Sequence, residues 1–273
     1  MAHPELATGN RLLAALTAVG GECWRRRSER VDLELGQVLY EPGRQQHHVY
    51  FPTSAIASLQ YVMENGASAG IAVVGNEGIV GTSLFLGGAT TIGNASVLIA
   101  GQGFRIEAQT IRDEFERSDA VRHLLLRYTE ALATQIAQTA ACNRRHSIDQ
   151  QVCGWLLHSL DRLRGSGEII VTHELVASML GVRRESVTQV VGHLEAAGLI
   201  HCARGHISAL DPAGLKRRSC ECHAVVKREY DRLLPSEPAV PPAKPDWRAS
   251  HAWCDAAAIR LPTQCEAAAV CES

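Results

Sequence analysis

No apolar run in this 273-residue chain reaches the length needed to cross a bilayer. Its first residues, MAHPELATGNRLLAALTAVGG, hold a short apolar stretch with no positive cluster before it. That argues against a secretory leader and predicts a small surface helix over Asn10–Val19. The expectation is a soluble, cytoplasmic protein with no membrane partner. A basic excess is missing too. The net formal charge is −2, so no global field announces a polyanionic partner. The nine cysteines are odd in number and scattered, which argues against a closed disulfide set. None clusters near the N-terminus in a way that would hold an iron–sulfur centre. Cys220-Glu221-Cys222-His223 is the one grouping, and it lacks a second ligand pair at zinc-site spacing. Neither a metal nor another cofactor is therefore expected. The adjacent His47 and His48 lack a third ligand, so no metal enzyme is expected, and no motif supports haem ligation. There is no internal repeat.

Charge is present, but unevenly. Residues 1–141 carry a net −3, residues 142–232 a net +3 and residues 233–273 a net −2. The positive segment contains Thr172 to Ile200, THELVASMLGVRRESVTQVVGHLEAAGLI. This stretch reads as two short helices joined by a tight turn at Gly181. Leu175, Met179 and Leu180 give the first an apolar side. Val187, Val190, Val191 and Leu194 fall at i, i+3, i+4 and i+7, one buried stripe on the second. The opposite side carries Arg184, Glu185, Thr188, Gln189 and Gly192. Arg pairs with guanine, Gln with adenine, and Glu accepts from cytosine, so this face suits base edges in a major groove.

Leu199 to Leu210 then reads as two strands around Arg204-Gly205, which makes the motif a winged helix. One local rule is broken. Arg183 and Arg184 stand where Ser, Thr, Asp or Asn should cap the second helix, each opposing the macrodipole by roughly 0.3–1 kcal/mol. Contact with phosphates and bases is the functional reason this suggests. Arg183, Arg204 and the Lys216-Arg217-Arg218 cluster are the expected backbone contacts. Two helices around a glycine turn also occur in proteins that never touch DNA. The alternative is a sensor or adaptor whose winged helix binds a protein.

Upstream, Val31 to Glu107 reads as short strands divided by glycine turns, a small antiparallel barrel or roll. Helices follow: a short one over Ile111–Arg117, then Asp119 to Cys142, which would span about 35 Å. On the long helix Val121, Leu125, Tyr128, Leu132, Gln135, Thr139 and Cys142 are spaced 4, 3, 4, 3, 4, 3, a coiled-coil seam that predicts a parallel twofold partner. Ser147 to Leu163 is another helix. Five prolines between Pro235 and Pro245 open a segment without periodicity. The chain is thus predicted to be α+β, with an N-terminal helical segment (1–28), a roll (29–118), a dimerisation helix (119–143), a winged helix-turn-helix (144–234) and a disordered tail (235–273).

This order, with GVRRESVTQVVGHLEAAGLI as its signature, resembles the Crp/Fnr family of bacterial transcription regulators. The resemblance covers about residues 29–232 and is most specific at 172–210. LELGQVLYEPG at 33–43 and VYFPTSAIASL at 49–59 look like the opening strands of the family's cyclic-nucleotide-binding-like roll. Cys142-Asn143-Arg144-Arg145-His146 fits its hinge. The resemblance implies a homodimer on near-palindromic double-stranded DNA, with RNA polymerase as a partner. It makes Arg184, Glu185 and Gln189 the base readers, and Thr172, Ser186 and Thr188 candidates for phosphate contacts. Two departures stand out. Gln189 occupies a position where the best-known members have arginine, which should change the operator. Thr82 and Asn94 stand near the family's ribose-binding glutamate and phosphate-binding arginine. Glu77 can be realigned onto the first, but no Lys or Arg occurs between Arg44 and Arg105. A buried phosphate would lack its cation, so tight binding of cAMP or cGMP is not expected, and the effector is unknown.

Overall fold

The computed structural model describes residues 9–20, 22–64, 68–88, 90–163, 167–203 and 205–235, so all of the expected tail except Pro235 lies outside the described residues. Alternating apolar residues and glycine turns build the N-terminal lobe. Its strands are β1 (Glu29–Leu33), β2 (Val38–Tyr40), β3 (His48–Pro52), β4 (Ile56–Val62), β5 (Ser68–Val74), β6 (Asn94–Ile99) and β7 (Gly101–Glu107). They pair antiparallel in two sheets, β1-β7-β3 and β2-β6-β4-β5. Phe51 lies opposite Phe104 and Val49 opposite Ile106, and all four are buried between the sheets.

Helix α1 (Arg11–Gly20) differs from the surface helix expected at Asn10–Val19. Leu12, Leu13 and Leu16 have no exposed surface at all. Their stripe packs into the roll core, and Asn10 anchors the start. Its side chain accepts from the Leu13 amide and donates 2.8 Å bonds to the carbonyls of Pro52 and Gly78. A short helix α2 (Glu22–Arg27) follows, and α3 (Ala108–Arg117) closes the roll.

Helix α4 (Asp119–Arg145) runs past its expected end at Cys142. Only His146 and Ser147 separate it from α5 (Ile148–Arg162), whose start is fixed by a reciprocal cap between Ser147 and Gln150. The predicted dimer seam is overturned as an outer surface. Val121, Leu125 and Tyr128 are wholly buried, Leu132 and Gln135 nearly so, and Thr139 is half-buried, all within one chain. The reason is that the chain supplies its own partners for that stripe. Leucines of α1 cover one end. The C-terminal helix α9 (Cys222–Leu233) adds Val226, Tyr230 and Leu233 to the same core. The face of α4 left in solvent carries Leu126, Ala133 and Ala140 instead.

The C-terminal lobe continues with β8 (Glu168–Ile170), α6 (His173–Leu180), α7 (Arg184–Ala196), β9 (Ile200–Ala203), β10 (His206–Ala209) and α8 (Pro212–Arg218). Strands β8-β10-β9 form the wing sheet. Val187, Val190, Val191 and Leu194 of α7 pack with Trp155, Leu156, Val176 and Met179. The same core takes in Ile56, Val73, Leu98 and Ile99 of the roll, so the lobes share apolar surface. Contact is closest at Gly70 on β5, where a Cβ would collide with the Met179 side chain and lie 2.8 Å from its carbonyl oxygen. Ser68 and Ser178 hydroxyls bond alongside at 2.9 Å.

Candidate nucleic-acid interface

The turn between α6 and α7 depends on Gly181, whose φ of +65° is left-handed and favours glycine. The Val182 amide closes the turn by donating to the Ala177 carbonyl at 3.0 Å. Thr172 caps α6, its Oγ1 accepting from the Leu175 amide at 3.2 Å. That bond uses a lone pair, so the exposed hydroxyl proton can still be donated to a phosphate. Arg183 stands at the N-cap of α7 with extended backbone and no side-chain cap bond. The first-turn amides of α7 are left without the usual side-chain acceptor, and such amides favour an anion.

Helix α7 divides cleanly. Val187 and Leu194 have no exposed surface, while Arg184, Glu185, Thr188, Gln189 and Gly192 all face solvent. The three candidate base readers, Arg184, Glu185 and Gln189, therefore share one open face with Arg183. Ser186 is half-buried. Thr188 Oγ1 lies 3.0 Å from His173 Nδ1, so that hydroxyl also ties α7 to α6. Glu195 joins the far end of α7 to the wing. Its carboxylate accepts from the Cys202 amide at 3.0 Å, and this bond, followed by His201, holds it below the ordinary carboxylate range. Arg204 lies outside the described residues; its neighbour Gly205 has a φ of +82°. The Lys216-Arg217-Arg218 cluster sits exposed on α8, but Arg217 pairs with Asp211 at 3.3 Å and Arg218 with Asp149 at 3.0 Å.

The roll's effector region is braced from the other lobe. Thr82 opens a 3-10 turn (Thr82–Leu84) and Asn94 begins β6, both half-buried. Glu77 is buried and accepts from Arg162 Nε of α5 at 2.8 Å and from the Gly75 amide at 3.2 Å. Arg162 is only 4 % exposed; it also donates to Gln135 Oε1 at 3.2 Å and to the His158 carbonyl at 2.9 Å. Tyr230 Oη donates to the same Gln135 oxygen at 2.9 Å, and Gln135 Nε2 donates to the Val73 carbonyl at 3.2 Å. Burial works against the Arg162 charge, but Glu77 and Tyr230 more than restore it. Tyr128 Oη donates to the Ile79 carbonyl at 3.0 Å, and burial pushes its hydroxyl well above the usual range. Sequence reasoning had noted Glu77 and Gln135 separately. It missed Arg162, Tyr230 and the joining of all four. The only available signal was two polar residues in otherwise apolar patterns.

Cys220 and Cys222 meet Cys142 and His146 at the end of α4. On the wing, Cys202 lies 3.8 Å from His173 Nε2.

Residues 150–218 match the model of the Crp-like helix-turn-helix domain. No curated protein sequence matches the chain. Among solved structures, FixK2 from Bradyrhizobium japonicum is 14 % identical, with a TM-score of 0.62 over 71 % of this chain and 98 % of its own. A putative transcriptional regulator of the Crp/Fnr family from Eubacterium rectale is 16 % identical, with a TM-score of 0.57 over 75 % of this chain and 93 % of its own. TTHB099, a CRP-family transcriptional regulator from Thermus thermophilus, is 19 % identical, with a TM-score of 0.57 over 70 % of this chain and 96 % of its own. At these identities the likeness is one of fold. Residues 150–218 thus form a Crp-like helix-turn-helix domain, on a body that has the fold of solved Crp/Fnr regulators.

Proposed function

We propose that this protein is a homodimeric, sequence-specific regulator of transcription that binds near-palindromic double-stranded DNA and acts with RNA polymerase, in the cytoplasm and without catalytic activity of its own. The observation that carries this reading is the open face of α7. Arg183, Arg184, Glu185 and Gln189 project together from a helix whose N-terminal amides have no side-chain cap. Arg184, Glu185 and Gln189 read base edges. Arg183, Thr172, Ser186 and Thr188 hold phosphates, with Arg204 on the wing. No helix among the described residues is long and apolar enough to cross a membrane.

The dimer forms on the outer side of α4, because the first-read seam is filled by the chain itself. Arg122, Leu126, Thr129, Ala133, Ile136 and Ala140 follow the same 4, 3 spacing on that side. Leu126 is 42 % exposed there. Control by cAMP is not part of this reading. Arg162, the one buried arginine among the described residues, is already neutralised by Glu77.

The test is binding to an operator found by genome-wide mapping. Arg184→Ala should weaken operator binding by roughly 1–3 kcal/mol and relax preference at one base step, with affinity falling steeply as salt rises. Wild-type affinity and specificity in the mutant would refute the role of Arg184. Salt-insensitive retention of a protein and no retention of DNA would refute the regulator reading.

A further inference from the structure

Cysteine and histidine side chains from two distant segments converge at the hinge. Cys142 and His146 are four residues apart, so the last turn of α4 and its C-cap place them on one side. Cys220 lies in the turn between α8 and α9, and Cys222, just past Glu221, opens α9. The three sulfurs and one imidazole nitrogen all lie within 4.8 Å of one another. Cys142 Sγ is 3.6 Å from Cys220 Sγ, and Cys222 Sγ is 3.4 Å from His146 Nδ1. A tetrahedral zinc ion, with Zn–S about 2.3 Å and Zn–N about 2.0–2.1 Å, would set these separations at about 3.8 and 3.6 Å. The four atoms already outline such a polyhedron.

We propose that Cys142, His146, Cys220 and Cys222 bind one zinc ion in a closed Cys3His site that clamps the end of α4 to the start of α9.

The surroundings fit a metal centre rather than a chance meeting of thiols. Cys220 and Cys222 are 9 % and 6 % exposed, and Cys142 and His146 are half-buried, so the site is largely shielded from water. With Nδ1 turned to the sulfurs, His146 Nε2 points at Glu221 Oε2, 3.5 Å away. A carboxylate behind a ligating histidine fixes its tautomer and raises its basicity. Gln138 Nε2 donates to Cys222 Sγ at 3.2 Å, a contact that favours a thiolate. Three thiolates and an imidazole are a soft donor set, which selects zinc over magnesium or calcium. Binding releases the three thiol protons to solvent, and nothing is oxidised or reduced.

A disulfide is the competing product. It would bring two sulfurs to about 2.05 Å and leave the third and the histidine without a task.

The test uses the full chain purified without a polyhistidine tag and under reducing conditions. Elemental analysis should find about one zinc per chain. Titration of the wild-type protein with a mercurial should release that zinc as three thiols react. Cobalt(II) in its place should show thiolate-to-metal charge-transfer bands. Cys142→Ala and Cys222→Ala should each lose the metal. Cys202→Ala, and joint replacement of Cys254, Cys265 and Cys271 by Ala, should keep it. Glu221→Gln should weaken zinc binding by about 10–100-fold while leaving the ligands in place. Metal-free protein, a native disulfide among these three cysteines, iron with inorganic sulfide, or zinc that survives in both ligand variants would each overturn the proposal. The mercurial titration decides the matter even if the ligand variants fail to fold. Loss of DNA binding would not bear on it, because metal content is read directly.

Discussion

Replacing Glu77 with glutamine removes one charge from a pair that bridges the roll and α5. Glu77 and Arg162 are 9 % and 4 % exposed and meet at 2.8 Å, so solvent screening discounts little of the effect. The guanidinium would keep Gln135 Oε1 and the His158 carbonyl as acceptors but lose the carboxylate it is bonded to. Stranding one partner of a buried pair costs about 3–5 kcal/mol. For a body of this size each kcal/mol shifts the melting temperature by about 2–4 °C, so Glu77→Gln should lower Tm by about 6–20 °C. The pair as a whole is a different quantity. Replacing both residues together, with Glu77→Leu and Arg162→Met, removes the desolvation cost along with the attraction and should be much less damaging than either single change. Gln135 would still hold the Tyr230 hydroxyl and the Val73 carbonyl. Thermal melts of wild type, Glu77→Leu, Arg162→Met and the double variant at one protein concentration form the cycle, with Glu77→Gln read beside it. A Glu77→Gln shift under about 2 °C, or a double variant whose loss equals the sum of the singles, would refute a coupled interlobe pair.

Three further substitutions separate surface from core and test pH. Leu126→Glu should dissociate dimers in sedimentation while barely changing the protomer's fold, because Leu126 is exposed. Leu125→Glu puts a charge where no surface is exposed and should unfold the chain. An unchanged dimer in Leu126→Glu would remove the outer face of α4 as the interface. His158 predicts acid sensitivity. Burial, then the charges of Arg162 and His223, hold its pKa well below the ordinary 6.5, with Asp161 opposing. The unfolded chain then takes up the proton first. This contribution to stability is whole above about pH 6.5 and falls by about 1.4 kcal/mol per pH unit below it, until the folded group also protonates. His48, lowered chiefly by burial, acts in the same direction. Asp161 is held low by its bond from His223 despite its burial, so its contribution fades only below about pH 3.8, outside this window. His158→Gln should flatten the slope of Tm between pH 6.5 and 5; an unchanged slope would discard His158 as its source.

The parts legible in the sequence were those set by neighbours along the chain. The i, i+3, i+4, i+7 stripe of Val187, Val190, Val191 and Leu194 places α7 in its core without any knowledge of the rest. Gly181 announces its turn because few other residues adopt a positive φ cheaply. The long helix shows where local reading stops. Helix α4 has two apolar sides, and a heptad count cannot say which is filled from within. Val121, Leu125, Tyr128 and Leu132 make the stronger stripe, which is why α1 and α9 occupy it rather than a second chain. The leucines of α1 were visible, but their destination was not. The hinge cluster was hidden for the same reason. Cys142 and Cys220 are 78 residues apart, beyond the spacings by which zinc sites are recognised in sequence.

Helix α9 explains why these missed features occur together. Tyr230 shares Gln135 with Arg162, Cys222 belongs to the hinge cluster, and Val226 and Leu233 fill the inner side of α4. The winged helix is therefore held to α4 by more than the linker at His146–Ser147, because its C-terminal helix returns to grip the same rod. A swing of the winged helix as one body would part Arg162 from Glu77 and move α9 along α4. A signal that inverts a 1:99 population needs a differential affinity of about 5.5 kcal/mol. Structural zinc binds with about 10–16 kcal/mol in small domains. Zinc at the hinge cluster would favour this position of α9 by the difference in its affinity between two arrangements, not by its whole binding free energy. Gln135 lies between the Arg162 guanidinium and the Tyr230 hydroxyl, so disruption of Glu77 and displacement of α9 should alter the same interlobe geometry.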